Sequence, residues 1–309
     1  MGLIVVFWLA MLIISLFALV KSSDYFIIYA EKIGNYFNLS SFVIGVTILA
    51  IGTSLPELVS SIVAVLKKHS EIVIADVVGS NVANIFLVIG VAIIISKKIS
   101  ISKKTLKLHL PFFIGSALFL FAASLNNIFG FFEAMVFLSF FATYLFFVFR
   151  EKAITPDEIV HEKATARDFF LLAVSAFFIY LGANYVIKSV VRLSFLLGIG
   201  KEIIAVSAVA FGTSLPELMV SVAAAKKGNS AMAFGNVLGS NIFNSLVVMA
   251  VPALISDIIV PFNILFYAIP SMLAATLAYS LLAMRKKAGF FVGIMFVLFY
   301  LAFLGFMFC

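Results

Sequence analysis

The sequence predicts an all-α integral membrane protein with about ten transmembrane helices in two inverted five-helix repeats. Three observations carry that reading. Of 309 residues, 64% are hydrophobic and only 11% charged, with a mean hydropathy of +1.23, whereas soluble domains carry about 25% charged residues. The stretch Gly52-Thr53-Ser54-Leu55-Pro56-Glu57 recurs as Gly212-Thr213-Ser214-Leu215-Pro216-Glu217, and Gly79-Ser80-Asn81 recurs as Gly239-Ser240-Asn241, both at an offset of 160 positions. Finally, the basic residues between apolar runs collect in alternate loops.

A chain this apolar cannot hide its side chains in one aqueous core, and a bilayer crossing takes about 20 apolar residues. The first apolar run extends from Leu3 into the twenties and on to Ile33. It has no basic start and no small-residue cleavage site, so it reads as a retained helix and not a signal peptide. Spans follow at 41–66, carrying the first Gly-Thr-Ser-Leu-Pro-Glu, and at 72–95, carrying the first Gly-Ser-Asn. Two more lie at 109–124 and 130–149. The polar stretch 150–167, with Pro156, is a cytoplasmic linker between a first repeat (1–149) and a second (168–309). The pattern then returns at 168–193, 202–225, 230–255, 260–283 and 288–308.

Five crossings per half is an odd number, so the second copy enters the membrane from the opposite side. Loop charge agrees. With the N-terminus outside, the inner loops hold fourteen Lys and Arg, grouped at 97–107, 150–167, 226–227 and 285–287, while the outer loops hold Lys67, Lys68 and Lys201, with Lys188 and Arg192 near a helix end. Both termini are therefore expected to be extracellular. The formal charge of +7 reflects membrane topology and not a nucleic-acid partner. The single cysteine, Cys309, allows no internal disulfide.

Pro56 has no N–H for the carbonyl of Gly52, and its ring pushes that carbonyl away. A broken helix is therefore expected around Ala50–Thr53, and freed carbonyls in hydrocarbon need a protein, water or ion partner. Thr53 and Glu57 share a helix face, as do Ser80 and Asn84. Thr213, Ser214, Glu217, Ser240 and Asn244 repeat the arrangement. If the halves face each other, hydroxyls, amide oxygens, carbonyls and two carboxylates converge near the midplane. An all-oxygen donor set suits a hard cation such as Ca²⁺, and the lack of Cys and His argues against zinc or copper. Two ionised glutamates are balanced by one Ca²⁺ or two Na⁺. A carboxylate at membrane depth costs at least ~2.5 kcal/mol unless paired or solvated. The bland reading is a protonated glutamate hydrogen-bonded between helices, with small hydroxyl residues merely packing interfaces.

These paired motifs resemble the sodium/calcium exchanger family of the calcium/cation antiporter superfamily over nearly the whole chain. The resemblance implies a ten-helix inverted-repeat antiporter that exchanges Na⁺ for Ca²⁺, three for one, in the cell membrane. It also implies that two long, loosely packed helices, here 3–33 and 163–193, slide over the core. Carried over residue by residue, the implied ligands are the Ala50 carbonyl, Thr53, Ser54, Glu57, Ser80 and Asn84. The second half gives the Ala210 carbonyl, Thr213, Ser214, Glu217, Ser240 and Asn244. Two departures stand out. Some relatives carry an aspartate at the position of Asn244, which leaves this chain one fewer ionisable group. Where the family has Gly-Asn, the first half has Ala75-Asp76 and the second keeps Gly235-Asn236. Asp76 lies four residues before Ser80 and either looks toward the site or bonds backbone amides at the helix break; the structural role is the favoured reading.

Elsewhere, Asp24 reads as a helix-interface contact, and His69, His109 and His161 as solvated residues at span ends or loops. A monomer in membrane lipid is expected, with no cofactor, no nucleic acid and no enzymatic chemistry, since no nucleophile–base pair is visible. The alternatives are an H⁺/Ca²⁺ or K⁺-dependent Na⁺/Ca²⁺ antiporter and, from another class, a passive cation channel. A channel commonly has symmetric subunits around a continuous pore, which an internal inverted repeat does not provide.

Overall fold

The computed structural model describes residues 2–96, 103–150, 163–196, 214–285 and 289–308. Almost all of them are helical, as apolar chain at membrane depth must be to satisfy its own backbone. The helices are α1 (Gly2–Tyr36), α2 (Ser41–Leu66), α3 (Glu71–Ser96), α4 (Lys103–Ser124), α5 (Phe131–Arg150), α6 (Ala166–Leu196), α7 (Leu215–Lys226), α8 (Ser230–Ala253), α9 (Ile264–Met284) and α10 (Phe290–Phe308). Among the described residues, all but α7 are long and apolar enough to cross a membrane. The expected span 202–225 lies partly outside the described residues.

Turn chemistry sets the helix ends. Asn38 adopts φ 57° after α1, Lys68 φ 64° after α2 and Gly228 φ 79° after α7, the left-handed closure common at helix C-termini. In each case the chain folds back on itself: Leu39 N–H reaches the Gly34 carbonyl, His69 N–H that of Ala64 and Asn229 N–H that of Ala224. The next helices start from side-chain caps. Ser40 accepts from Val43 N–H, and Asn229 from Met232 N–H.

The ends of the helices gather on two faces. On one, a short antiparallel ribbon pairs β1 (Ile128–Phe129) with β2 (Ile258–Ile259), and Ile259 N–H donates to Ser70 Oγ at 3.3 Å. The turns after α2, α4 and α8 therefore lie together. On the other, Lys32 near the end of α1 pairs with Asp168 at the start of α6 at 3.0 Å. Asn229 after α7 donates to Glu31 Oε1 at 3.1 Å. The chain thus enters α6 on the face where α1 ends, and the second half runs upside down relative to the first. Asp168 also accepts from the backbone and hydroxyl of Thr165, a capping box read in reverse that fixes its carboxylate toward Lys32.

Burial divides the helices into two groups. In the most apolar window of each helix, 94% of α8 and 78% of α3 is buried, whereas α1, α5, α6 and α10 bury only 11–22%. α1 and α6 run antiparallel along each other, with Gly182 so close to Leu19 that no Cβ fits freely. The core is formed by α2, α3, α7 and α8. Gly235 and Gly239, four apart on α8, press on the backbone of Gly45 and Val46 in α2, a small-residue seam that lets two backbones meet.

One expectation is corrected. His109 is fully buried, 2.9 Å from the Tyr144 hydroxyl and packed against the Phe42 ring. α4 starts at Lys103, six residues before the anticipated start of the span, so His109 sits inside a helix and not at its end. His69 is exposed beside Glu71; His161 lies outside the described residues.

Candidate functional site

Thr53, Ser54 and Glu57 project from α2. The anticipated break around Ala50–Thr53 is not what forms there: the helix is continuous from Ala50 to Leu66 with Pro56 inside it. The irregularity lies one turn earlier, as a π-turn over Gly45–Leu49. Loss of one N–H at Pro56 frees the Gly52 carbonyl without unwinding its neighbours, and the Thr53 hydroxyl reaches the Ala50 carbonyl at 3.4 Å. Two further π-turns, over Asn84–Val88 in α3 and Asn244–Val248 in α8, stand 160 positions apart. Single π-turns of this kind concentrate at functional sites, and both begin on an asparagine that the motifs single out. In the second half, Pro216 falls in the first turn of α7, where its missing N–H costs nothing. Ala210 and Thr213 lie outside the described residues.

Every other candidate is at most 3% exposed: Ala50, Thr53, Ser54, Glu57, Ser80, Asn84, Ser214, Glu217, Ser240 and Asn244. The halves interleave. The π-turn carrying Asn244 packs on the α2 segment carrying Glu57, and the π-turn carrying Asn84 packs on α7, which carries Glu217. Ser54 Oγ donates to Glu217 Oε1 at 2.9 Å across the halves.

Six of these side chains hold polar atoms at odds with their burial. Both oxygens of Glu57, Oε2 of Glu217, both side-chain heteroatoms of Asn84 and of Asn244, and the hydroxyls of Ser214 and Ser240 have no protein hydrogen-bond partner among the described residues. A buried polar atom without a partner costs about 1–3 kcal/mol, more if charged. So many in one place mark a centre built to hold a polar or charged guest. Among the described residues no three His, Cys, Asp or Glu side chains come together as a metal-binding group. The donor set is two carboxylates supplemented by neutral oxygens.

Sequence reasoning noted three asparagines in the repeated motifs, Asn81, Asn236 and Asn241, but gave them no role; they brace this centre. Asn236 Nδ2 donates to Ser221 Oγ at 2.9 Å and to the Glu217 carbonyl at 3.5 Å, while its Oδ1 lies 3.5 Å from the Thr53 hydroxyl. It thereby ties α8 to both glutamate-bearing helices. Asn81 and Asn241 reach each other's backbone carbonyls at 3.5 and 3.4 Å, and Asn81 also reaches Ser245 Oγ at 2.8 Å. This reciprocal pair marks the twofold axis between the halves. The signal was present in the sequence as polar amides repeated at the same offset within apolar helices.

An inverted repeat whose two halves each bring a glutamate and a π-kinked asparagine to one buried polar centre defines a class: a multi-pass membrane transporter working at a repeat interface. The comparisons with known proteins narrow the class. The model of the sodium/calcium exchanger protein family matches residues 7–150 and 168–309. The chain is 34% identical to the sodium/calcium exchanger MaX1 of Methanosarcina acetivorans, over 95% of this chain and 96% of that protein. It is 33% identical to an uncharacterized membrane protein of Methanocaldococcus jannaschii, over 94% of each. Solved structures of the sodium–calcium exchanger NCX_Mj superpose with TM-scores up to 0.84 among those compared, at 31% identity, covering 96% of this chain and 98% of that one. The chain belongs to the sodium/calcium exchanger protein family.

Proposed function

We propose that the protein is a secondary active antiporter that exchanges Na⁺ for Ca²⁺ across the cell membrane by alternating access. The observation that carries this is the pair Glu57 and Glu217: one from each inverted half, both fully buried, with three of their four carboxylate oxygens lacking a protein partner among the described residues. Ca²⁺ takes 6–8 oxygen ligands. The carbonyls of Ala50 and Ala210 and the side chains of Thr53, Ser54, Glu57, Ser80, Asn84, Thr213, Ser214, Glu217, Ser240 and Asn244 supply that number in overlapping subsets. Na⁺ competes for the same oxygens.

Charge explains why such a centre exchanges and does not leak. Two ionised glutamates left empty in a low-dielectric core are costly. One Ca²⁺, or several Na⁺, removes the penalty, so only loaded forms cross between inward- and outward-facing states. The antiparallel pair α1 and α6, packed along each other, forms the moving element, sliding over the core of α2, α3, α7 and α8. Beside this pair, an open apolar groove between α1, α2, α5 and α6 is lined by Phe26, Ile51, Gly52, Phe149 and Leu172 among others. The chain works as a monomer with both termini outside, and it performs no covalent chemistry.

The test is uptake of radioactive Ca²⁺ into proteoliposomes preloaded with Na⁺. Uptake is expected to rise with the outward Na⁺ gradient and to ignore a pH gradient. Uptake that follows the pH gradient and disregards Na⁺ would replace this reading with H⁺/Ca²⁺ antiport. Efflux without any counter-ion would replace it with a channel.

A further inference from the structure

We propose that Asn236 is a positioning residue for ion binding: its side-chain oxygen takes the proton of the Thr53 hydroxyl, which leaves the Thr53 oxygen and the Ala50 carbonyl to the ion. The inference rests on the ion-site reading above. The Thr53 hydroxyl reaches two acceptors, the Ala50 carbonyl at 3.4 Å and Asn236 Oδ1 at 3.5 Å. The first is itself a proposed ligand; the second lies outside the proposed ligand set. A hydroxyl has one proton to give and two lone pairs to offer. Given to Ala50, the proton competes with the ion for a ligand oxygen. Given to Asn236, it takes no ligand from the ion, and the Thr53 lone pairs stay available. A cation at the Ala50 carbonyl also repels the hydroxyl proton, which drives it toward Asn236.

An amide can turn either end toward Thr53, so the oxygen has to be held there. The Glu217 carbonyl holds it. Asn236 Nδ2 lies 3.5 Å from that carbonyl and 2.9 Å from Ser221 Oγ. A backbone carbonyl only accepts, so the NH₂ group faces α7 and Oδ1 faces α2. The neighbouring Gly235 lets α8 press on Gly45 of α2, which brings Asn236 within reach of Thr53. Asn236, Ser221 and Thr53 are each at most 1% exposed, so bulk water offers no substitute partner. The relay is not a by-product of the repeat. In the first half the Glu57 carbonyl accepts from Ser60 Oγ at 2.9 Å. Ser61, the counterpart of Ser221, has a buried hydroxyl with no partner among the described residues. Packing that the repeat itself required would recur in both halves; this relay serves the oxygens around Thr53.

The experiment is a double-mutant cycle on the full-length protein in detergent, read by equilibrium dialysis with radioactive Ca²⁺. Asn236→Leu keeps the branched shape and removes the amide; Thr53→Val keeps the shape and removes the hydroxyl. Each alone is expected to raise the half-saturating Ca²⁺ about tenfold. Together they are expected to stay within about threefold of Thr53→Val alone, since without the hydroxyl there is no proton left to place. In Thr53→Ser protein, which keeps a hydroxyl, Asn236→Leu is expected to cost its full factor of about ten. Losses that multiply to about a hundredfold in the double variant would overturn the proposal and leave Asn236 a structural brace alone. So would an Asn236→Leu loss as large beside valine as beside serine, or wild-type Ca²⁺ binding by folded Asn236→Leu. Should leucine unfold the protein, as judged by thermal unfolding in detergent, Asn236→Ala goes through the same cycle with the same expected outcomes. Wild-type protein that binds no Ca²⁺ at all would sink the ion-site reading itself, which is a distinct result.

Discussion

At the scale of single residues, the proposed site rests on Glu57 and Glu217, and the two differ in their protein contacts. Glu217 receives the Ser54 hydroxyl at 2.9 Å, whereas neither oxygen of Glu57 has a protein partner among the described residues. Replacing either with Gln keeps the shape and removes the charge, and Na⁺-driven Ca²⁺ uptake by both variants is expected to fall to that of protein-free liposomes. Ser54→Ala leaves both charges but removes a charge-assisted hydrogen bond that orients Glu217, and is expected to raise the half-saturating Ca²⁺ about tenfold. Uptake at the wild-type level in Glu57→Gln would remove that residue from the site. The glutamates were legible in the sequence because a carboxylate repeated in two apolar spans is costly unless used. Asn236 was not, because an amide that bridges two halves is a fact of tertiary packing, and the motif alone does not distinguish a brace from a ligand.

At the scale of elements, the seam between α8 and α2 joins the halves. A Cβ at Gly239 would meet the Val46 carbonyl, which is backbone and cannot move aside cheaply. Gly239→Ala is therefore expected to cost about 1–3 kcal/mol through overpacking, seen as earlier thermal unfolding in detergent. Gly305→Ala on α10, where no described atom lies within 4 Å, should leave unfolding unchanged. The converse result would mean that the seam is not closely packed in solution. Helix existence was readable from apolar runs, but local geometry was not. Pro56 suggested a break where the helix continues, since one lost hydrogen bond does not unwind a helix held by its neighbours. The π-turns at Asn84 and Asn244 carry no local sequence signal, because an extra residue in a turn is fixed by what packs against it. The start of α4 was misplaced because Lys103, Lys104 and Lys107 resemble a loop. The spacing of Leu106, His109, Leu110 and Phe113 at i, i+3, i+4 and i+7 held the missing signal.

At the scale of the whole molecule, the inverted arrangement followed from three facts visible in the chain: an odd number of spans per half, one constant offset between motifs and a one-sided distribution of Lys and Arg. The structure gives it a physical form in the ribbon between β1 and β2 on one face and the pair Lys32–Asp168 on the other. With Cys309 replaced by Ser, cysteines placed singly at Asn126 and Asp257 are expected to react with an impermeant maleimide from outside intact cells. One at Gly228 should react only after permeabilisation. Labelling of positions 126 and 228 from the same side would contradict the inverted topology. The central claim, that carboxylates from opposite halves share one Ca²⁺ in competition with Na⁺, is tested most directly by anomalous diffraction from crystals soaked in Ca²⁺. The account predicts one anomalous peak within about 2.3–2.6 Å of oxygens from both Glu57 and Glu217, lost when Na⁺ replaces Ca²⁺ in the soak. A peak bound to one glutamate alone, or one that persists in high Na⁺, would contradict it.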